Sequence, residues 1–157
     1  MNYENITIRS MTNTDEAAVC EFFDAMGGES RAFFNRMNTN RKHAVSFCQT
    51  PSQKRRYFIA ELDGKTVGLV FFLDWNTKIP ELGVAVRDEY QGNGIGNKLV
   101  RFAVDFAKES DKGGIILTTH IANIRAQALY EELGFSCLGT YKNAKELIYI
   151  LRYTDAI

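Results

Sequence analysis

Three glycines spaced two apart, Gly92, Gly94 and Gly96, carry the plainest chemical message in this sequence. They lie within the segment from Val86 to Leu99, after a largely apolar run from Glu81 and before an amphipathic helical stretch. The first turn of a helix has free backbone N–H groups and the positive end of the helix dipole. Glycines let an anion approach that backbone closely. Strand, glycine turn and helix start together make a cradle for phosphate. A mononucleotide P-loop needs Lys-Ser/Thr after its last glycine, and here Asn97, Lys98 and Leu99 follow. A dinucleotide fingerprint starting at Gly92 needs a third glycine where Asn97 stands. Both fail. A glycine turn needed only for its backbone conformation is the plainer alternative.

The segment does fit Q/R-x-x-G-x-G/A, as Gln91-Gly92-Asn93-Gly94-Ile95-Gly96. Further along, Asn123, Ala126, Leu129, Tyr130, Gly134 and Phe135 fit N-x-x-A-x-x-L-Y-x-x-x-G-F. With both motifs in this order, the sequence resembles the GNAT N-acetyltransferase superfamily, and the resemblance covers essentially the whole chain. It implies acetyl-CoA as cosubstrate and transfer of its acetyl group to a primary amine of a small molecule or peptide, by direct attack on the thioester. The cofactor would be held by the backbone of Val84, Ala85 and Val86, by Gln91, Gly92, Asn93, Gly94, Ile95, Gly96 and Asn97, and by Asn123, Ala126 and Tyr130. Two positions depart from the family pattern. Asp88 stands where many relatives carry proline. Pro80 opens the central strand, where it removes one ladder donor and limits how far that strand can pair.

Such a transfer has three chemical demands. An alkylamine has a pKa of about 10.4, so a base is useful near neutral pH. By resemblance Glu81 fills that role, with a salt-bridged edge carboxylate as the plainer reading. His120, at the end of the next parallel strand, and water are the alternatives. A backbone N–H near Val84 to Val86 would stabilise the oxyanion, where resemblance expects the central strand to splay from its parallel neighbour. Tyr130 would protonate the departing thiolate. Its plainer reading is a buried helix tyrosine. Asn123 has two compatible roles, helix cap and cofactor contact.

The elements that must position these groups read as β-α-α-β-β-β-α-β-α-β-β. A strand near Ile6 to Met11 leads into a helix from about Asp15 to Met26, stopped by Gly27 and Gly28. A more broken helical region runs from about Ser30 to Gln49. Asp63-Gly64 joins two β-rich runs as a hairpin. Then come the strand Glu81 to Val86, a helix from Gly94 to Ser110 and the strand Ile115 to His120. A helix from Asn123 to Leu133 and a final hairpin of Phe135–Tyr141 and Glu146–Tyr153 close the chain. The expected fold is α/β: one domain over residues 1–157, with a central, mixed, mostly antiparallel sheet of about seven strands and helices on both faces.

Composition fits this picture. Of 157 residues, 45% are hydrophobic and 24% charged, enough for a core at this length. The formal net charge is zero, which argues against nucleic acid or a membrane surface as partner. Three scattered cysteines suggest neither a disulfide framework nor a metal site, and a cytoplasmic location is expected. Cys137 is expected in the core. Between Gly27 and Arg56 the residues Arg31, Arg36, Arg41, Lys42, Lys54, Arg55 and Arg56 face a single acid, Glu29. If that stretch walls the acceptor site, amines bearing a carboxylate are preferred over polyamines. A second copy of the chain as partner is left open, and so is a CoA-binding regulatory module without catalysis.

Overall fold

A computed structural model describes residues 3–35, 40–141 and 143–154. Its elements run β1 (Thr7–Ser10), α1 (Glu16–Asp24), α2 (Gly28–Asn35), α3 (Arg41–Gln49), β2 (Arg55–Leu62), β3 (Lys65–Leu73), β4 (Glu81–Val86), α4 (Ile95–Glu109), β5 (Gly114–His120), α5 (Ile124–Glu132), β6 (Ser136–Tyr141) and β7 (Glu146–Arg152). The strands form one seven-stranded sheet in the order β1-β2-β3-β4-β5-β7-β6. Every neighbouring pair is antiparallel except β4 with β5. The expected mixed, mostly antiparallel α/β sheet is thus found.

The broken region after α1 resolves into two helices. Gly28 begins α2 instead of merely stopping α1, because the Gly27 amide donates to the Asp88 carboxylate at 2.8 Å and the chain turns there. A Cβ on Gly27 would lie 2.1 Å from that carboxylate oxygen, so a side chain there would push Asp88 out of this bond. Asn40 then caps α3, its side chain accepting from the His43 amide.

Two cores sandwich the sheet. On one face α4 and α5 pack Leu99, Val100, Ala103 and Tyr130 against Phe58, Phe72, Leu82, Ile115, Leu117 and Tyr149. On the other, α1 and α3 pack Phe22, Phe23 and Phe47 against Tyr57, Ile59, Leu69 and Phe71. Strand alternation decides which residue serves which core. Tyr149 is buried, and its hydroxyl donates to Glu131 at 3.0 Å. Cys137 corrects the core expectation: it is exposed on β6, an edge strand whose residues all face solvent. Cys48 is the buried cysteine, its thiol pushed up to about 11 by burial.

Candidate functional site

Strands β4 and β5 are bridged by a single register pair, Glu81 with Ile116. Pro80 just precedes it and still accepts from the Ile116 amide at 3.0 Å. Beyond that rung the strands part, and a cleft of about 440 Å³ opens between Val84–Val86 on one side and Thr118–His120 on the other. It continues to Gln91, Gly92 and Gly96 at the start of α4, and to Asn123, Ala126 and Tyr130 on α5.

The glycine loop is shaped by its backbone. Gly92 and Gly94 have φ of 81° and 83°, in the left-handed region that other residues enter only at a cost. Gly94 is the N-cap of α4 and supplies no side chain there, leaving the first-turn amides open. Gln91 braces the loop, its Nε2 donating to the Val86 carbonyl at 3.0 Å and to Ser30 Oγ at 3.1 Å. Asn93 Nδ2 donates to the carbonyls of Tyr90 and Gln91. Behind the loop, Arg87 grips Glu21 of α1 with both terminal nitrogens and Glu89 with Nε, tying loop and helix together. Those carboxylates hold the Arg87 guanidinium well above its ordinary value, so its charge is permanent.

Of the residues expected at the site, Val84, Ala85, Val86, Gln91, Gly92, Gly96, Asn123, Ala126 and Tyr130 do line the cleft. Four others shape the loop from behind. Ile95 is buried in the core, Gly94 sets the turn, Asn93 braces it, and Asn97 accepts from Arg101 at 2.6 Å. Asn123 caps α5, accepting from the Ala126 amide at 3.2 Å. Glu81 stands apart: it lies at the bridged end, outside the lining, three residues or about 10 Å along β4 from Val84.

Tyr130 is 3% exposed, packed beside Phe135 and Tyr149. Burial pushes its hydroxyl far above the usual tyrosine range, so it stays protonated at neutral pH. His120 lines the cleft, but its Nδ1 accepts from the Ala122 amide at 3.0 Å. In the neutral ring that bond leaves the proton on Nε2.

Sequence reasoning missed Arg125, Glu29 and Glu146. Arg125 Nη1 would lie 3.8 Å from a Cβ on Gly92, which puts a guanidinium beside the glycine loop. Its place inside the second motif was the available signal. Three residues of the basic stretch expected to wall the acceptor have partners away from the cleft. Arg31 donates to the carbonyls of Phe23 and Met26, Arg41 pairs with Asp24, and Arg56 lies over the Trp75 ring. Arg36 falls outside the described residues. The charged residues that do line the cleft are Glu29, Arg125 and Glu146.

The family model for the acetyltransferase (GNAT) family matches residues 19–135. The chain belongs to this family. Human N-alpha-acetyltransferase 30 is 39% identical to this GNAT chain over 83 residues, covering 50% of this chain and 23% of the relative. Across the curated relatives, matches span between 23% and 60% of the relative's own length. The crystal structure of the Escherichia coli ribosomal-protein-S18-alanine N-acetyltransferase superposes with a TM-score of 0.72 at 21% identity, covering 96% of each chain. A Salmonella typhimurium protein solved with its cofactor acetyl-CoA superposes at 0.76 with 20% identity, over 98% of this chain and 97% of that one. These two likenesses establish the GNAT fold. Among the described residues no helix is long and apolar enough to cross a membrane, and no group of three His, Cys, Asp or Glu could hold a metal.

Proposed function

We propose that this chain is an acetyl-CoA-dependent N-acetyltransferase that passes an acetyl group to a primary amine of a small molecule or peptide. The observation that carries the reading is the cleft between β4 and β5, lined both by the start of α4 with its open amides and by the buried Tyr130. The fit to acetyl-CoA follows from the residues present. Free amides at the start of α4 and the neighbouring Arg125 suit a pyrophosphate. The parted edges of β4 and β5 offer backbone groups to an extended, amide-containing chain, as an added strand would use them. Tyr130, which lines the same cleft, would protonate the departing thiolate. A backbone N–H of β4 between Val84 and Val86 would receive the oxyanion. Proton removal by Glu81 would require a water relay past the bridged end of the cleft.

The acceptor stays at the level of a primary amine, and a cytoplasmic protein acting alone or as a pair of copies is consistent with this reading. A module that binds CoA without catalysis is its competitor, and Tyr130 in the cleft speaks for catalysis. The test is thermal unfolding with CoA, acetyl-CoA, ATP and NAD, followed by thiol release from acetyl-CoA over an amine panel. CoA species at 100 times Kd should stabilise the fold by about 2.7 kcal/mol, and ATP and NAD by less. Equal protection by ATP would sink the CoA assignment, and CoA binding without thiol release would favour the regulatory module.

A further inference from the structure

One carboxylate in the cleft has no role in the mechanism so far. Glu146 is the first residue of β7, is 2% exposed, and lines the cleft. Its Oε2 is buried and, among the described residues, has no hydrogen-bond partner. Buried polar oxygens are ordinarily paired, and a buried charge more strictly so. A carboxylate kept in this state, at the wall of a substrate cleft, is placed for a group that arrives from outside.

The sheet decides which side it serves. Ile115 and Leu117 of β5 belong to the core under α4 and α5, so alternation turns Thr118 and His120 to the opposite face. His120 is the register partner of Glu146, and paired residues share a face. Tyr130 belongs to the α4 and α5 face. The two ionisable groups therefore bracket the slit between β4 and β5 from opposite sides. Transfer of an acyl group needs such an arrangement, with the leaving group's proton donor on one side and the nucleophile's proton acceptor on the other.

We propose that Glu146 is the general base of this enzyme; the proposal rests on the acetyl-transfer reading above. The neutral amine nitrogen attacks the thioester carbonyl carbon and becomes cationic as the N–C bond forms. Its proton passes to Glu146 Oε2. The oxyanion collapses, the C–S bond breaks, and its electron pair leaves on sulfur, which takes a proton from Tyr130. Release of amide and thiol lets Glu146 return its proton to Tyr130 through solvent, so the cycle closes with amine and thioester converted to amide and thiol. The other ionisable side chains on the cleft are Glu29 from α2, Tyr90 before the glycine loop, His120 from β5, and Arg125 and Tyr130 from α5. Tyr141 is the partner of Glu146 on β6. Of these, Glu146 alone is a buried carboxylate.

The test compares wild type with Glu146→Gln and Glu146→Ala, using an acceptor found in the amine panel. Glu146→Gln should keep its thermal midpoint and its CoA affinity and lose about 10²- to 10⁴-fold in kcat. The acid limb of the kcat–pH profile should vanish with it, and formate should restore part of the rate to Glu146→Ala. A Glu146→Gln variant within threefold of wild type, with its acid limb intact, overturns the proposal. So does a loss of rate matched by a loss of CoA affinity or thermal midpoint without formate rescue, which would make Glu146 structural. Failure of wild type to release thiol with any amine is a different result. It sinks the transferase reading itself, and the role of Glu146 with it.

Discussion

Replacing Tyr130 by phenylalanine separates catalysis from packing more cleanly than any other change to this chain. The ring lies 5.7 Å from Phe135 and 6.0 Å from Tyr149, and phenylalanine keeps both contacts. Removing the hydroxyl gives up at most one hydrogen bond, so it should cost the fold about 1 kcal/mol or less. For catalysis the sum is different. Ordinary thiol and tyrosine values near 8.5 and 10 already make proton transfer to the thiolate uphill by about 2 kcal/mol. Burial raises the tyrosine further, so the hydroxyl acts chiefly as a donor to developing negative charge. A hydrogen bond to a charged group is worth about 1.5–3 kcal/mol, or roughly 10- to 150-fold in rate. Adding partial proton transfer, we expect kcat to fall by about 10²-fold or more. The assay is thiol release under single-turnover conditions, alongside CoA affinity by calorimetry. A variant that is stable, binds CoA normally and turns over at more than a third of the wild-type rate would refute the acid role.

Gly94→Ala meets open space but must hold φ at 83°, a strain of about 1–2 kcal/mol, and CoA affinity measured by calorimetry should fall as the turn relaxes. Gly96→Ala meets only ordinary contacts with Leu129 and Val86 and should fold normally, whereas Gly96→Asp adds a negative charge to the anion cradle and should weaken CoA binding at least tenfold. Unchanged affinity in Gly96→Asp would reduce the loop to a turn. Asp15 is held below the usual carboxylate range, first by hydrogen bonds from Arg9 and further by the Thr12 amide, against the opposing effect of burial. Its stabilising contribution is present above the unfolded value of about 3.9 and is lost as pH falls through the lower folded value. Asp15→Asn should therefore cost about 1–2 kcal/mol at pH 7, allowing for the solvent exposure of Arg9, and that gap should shrink as pH falls below the unfolded value of about 3.9. A gap independent of pH would mean packing, not charge, is lost.

The sheet and its helices were legible because their signals are local. Asp63 and Gly64 turn the β2–β3 hairpin at φ of 51° and 78°, as their pairing suggested, and Asn123 caps the helix it precedes. The cleft was legible wherever a motif fixed backbone geometry, as at Gln91 and Gly92. What stayed hidden depends on contacts across the chain. Glu81 reads as the obvious base from its strand, yet its register with Ile116 puts it at the closed end. Glu146 reads as the polar start of an edge hairpin, and only its pairing with His120 brings it into the cleft. The row of arginines after Gly27 looked like a field aimed at the acceptor. Backbone carbonyls, Asp24 and Trp75 take up three of them instead.

A sheet joined across its middle by one rung has four edges, not two. Besides β1 and β6, the upper halves of β4 and β5 are edges turned toward each other. Open edges usually invite pairing with other chains, and proteins blunt them with charge or cover. Here each of the two inner edges faces the opposite lip of the slot. The same gap divides the sheet into a four-stranded and a three-stranded panel that meet at Glu81 and Ile116. An extended ligand lying in the slot would supply the missing rungs, so that its binding and the completion of the sheet would be one event.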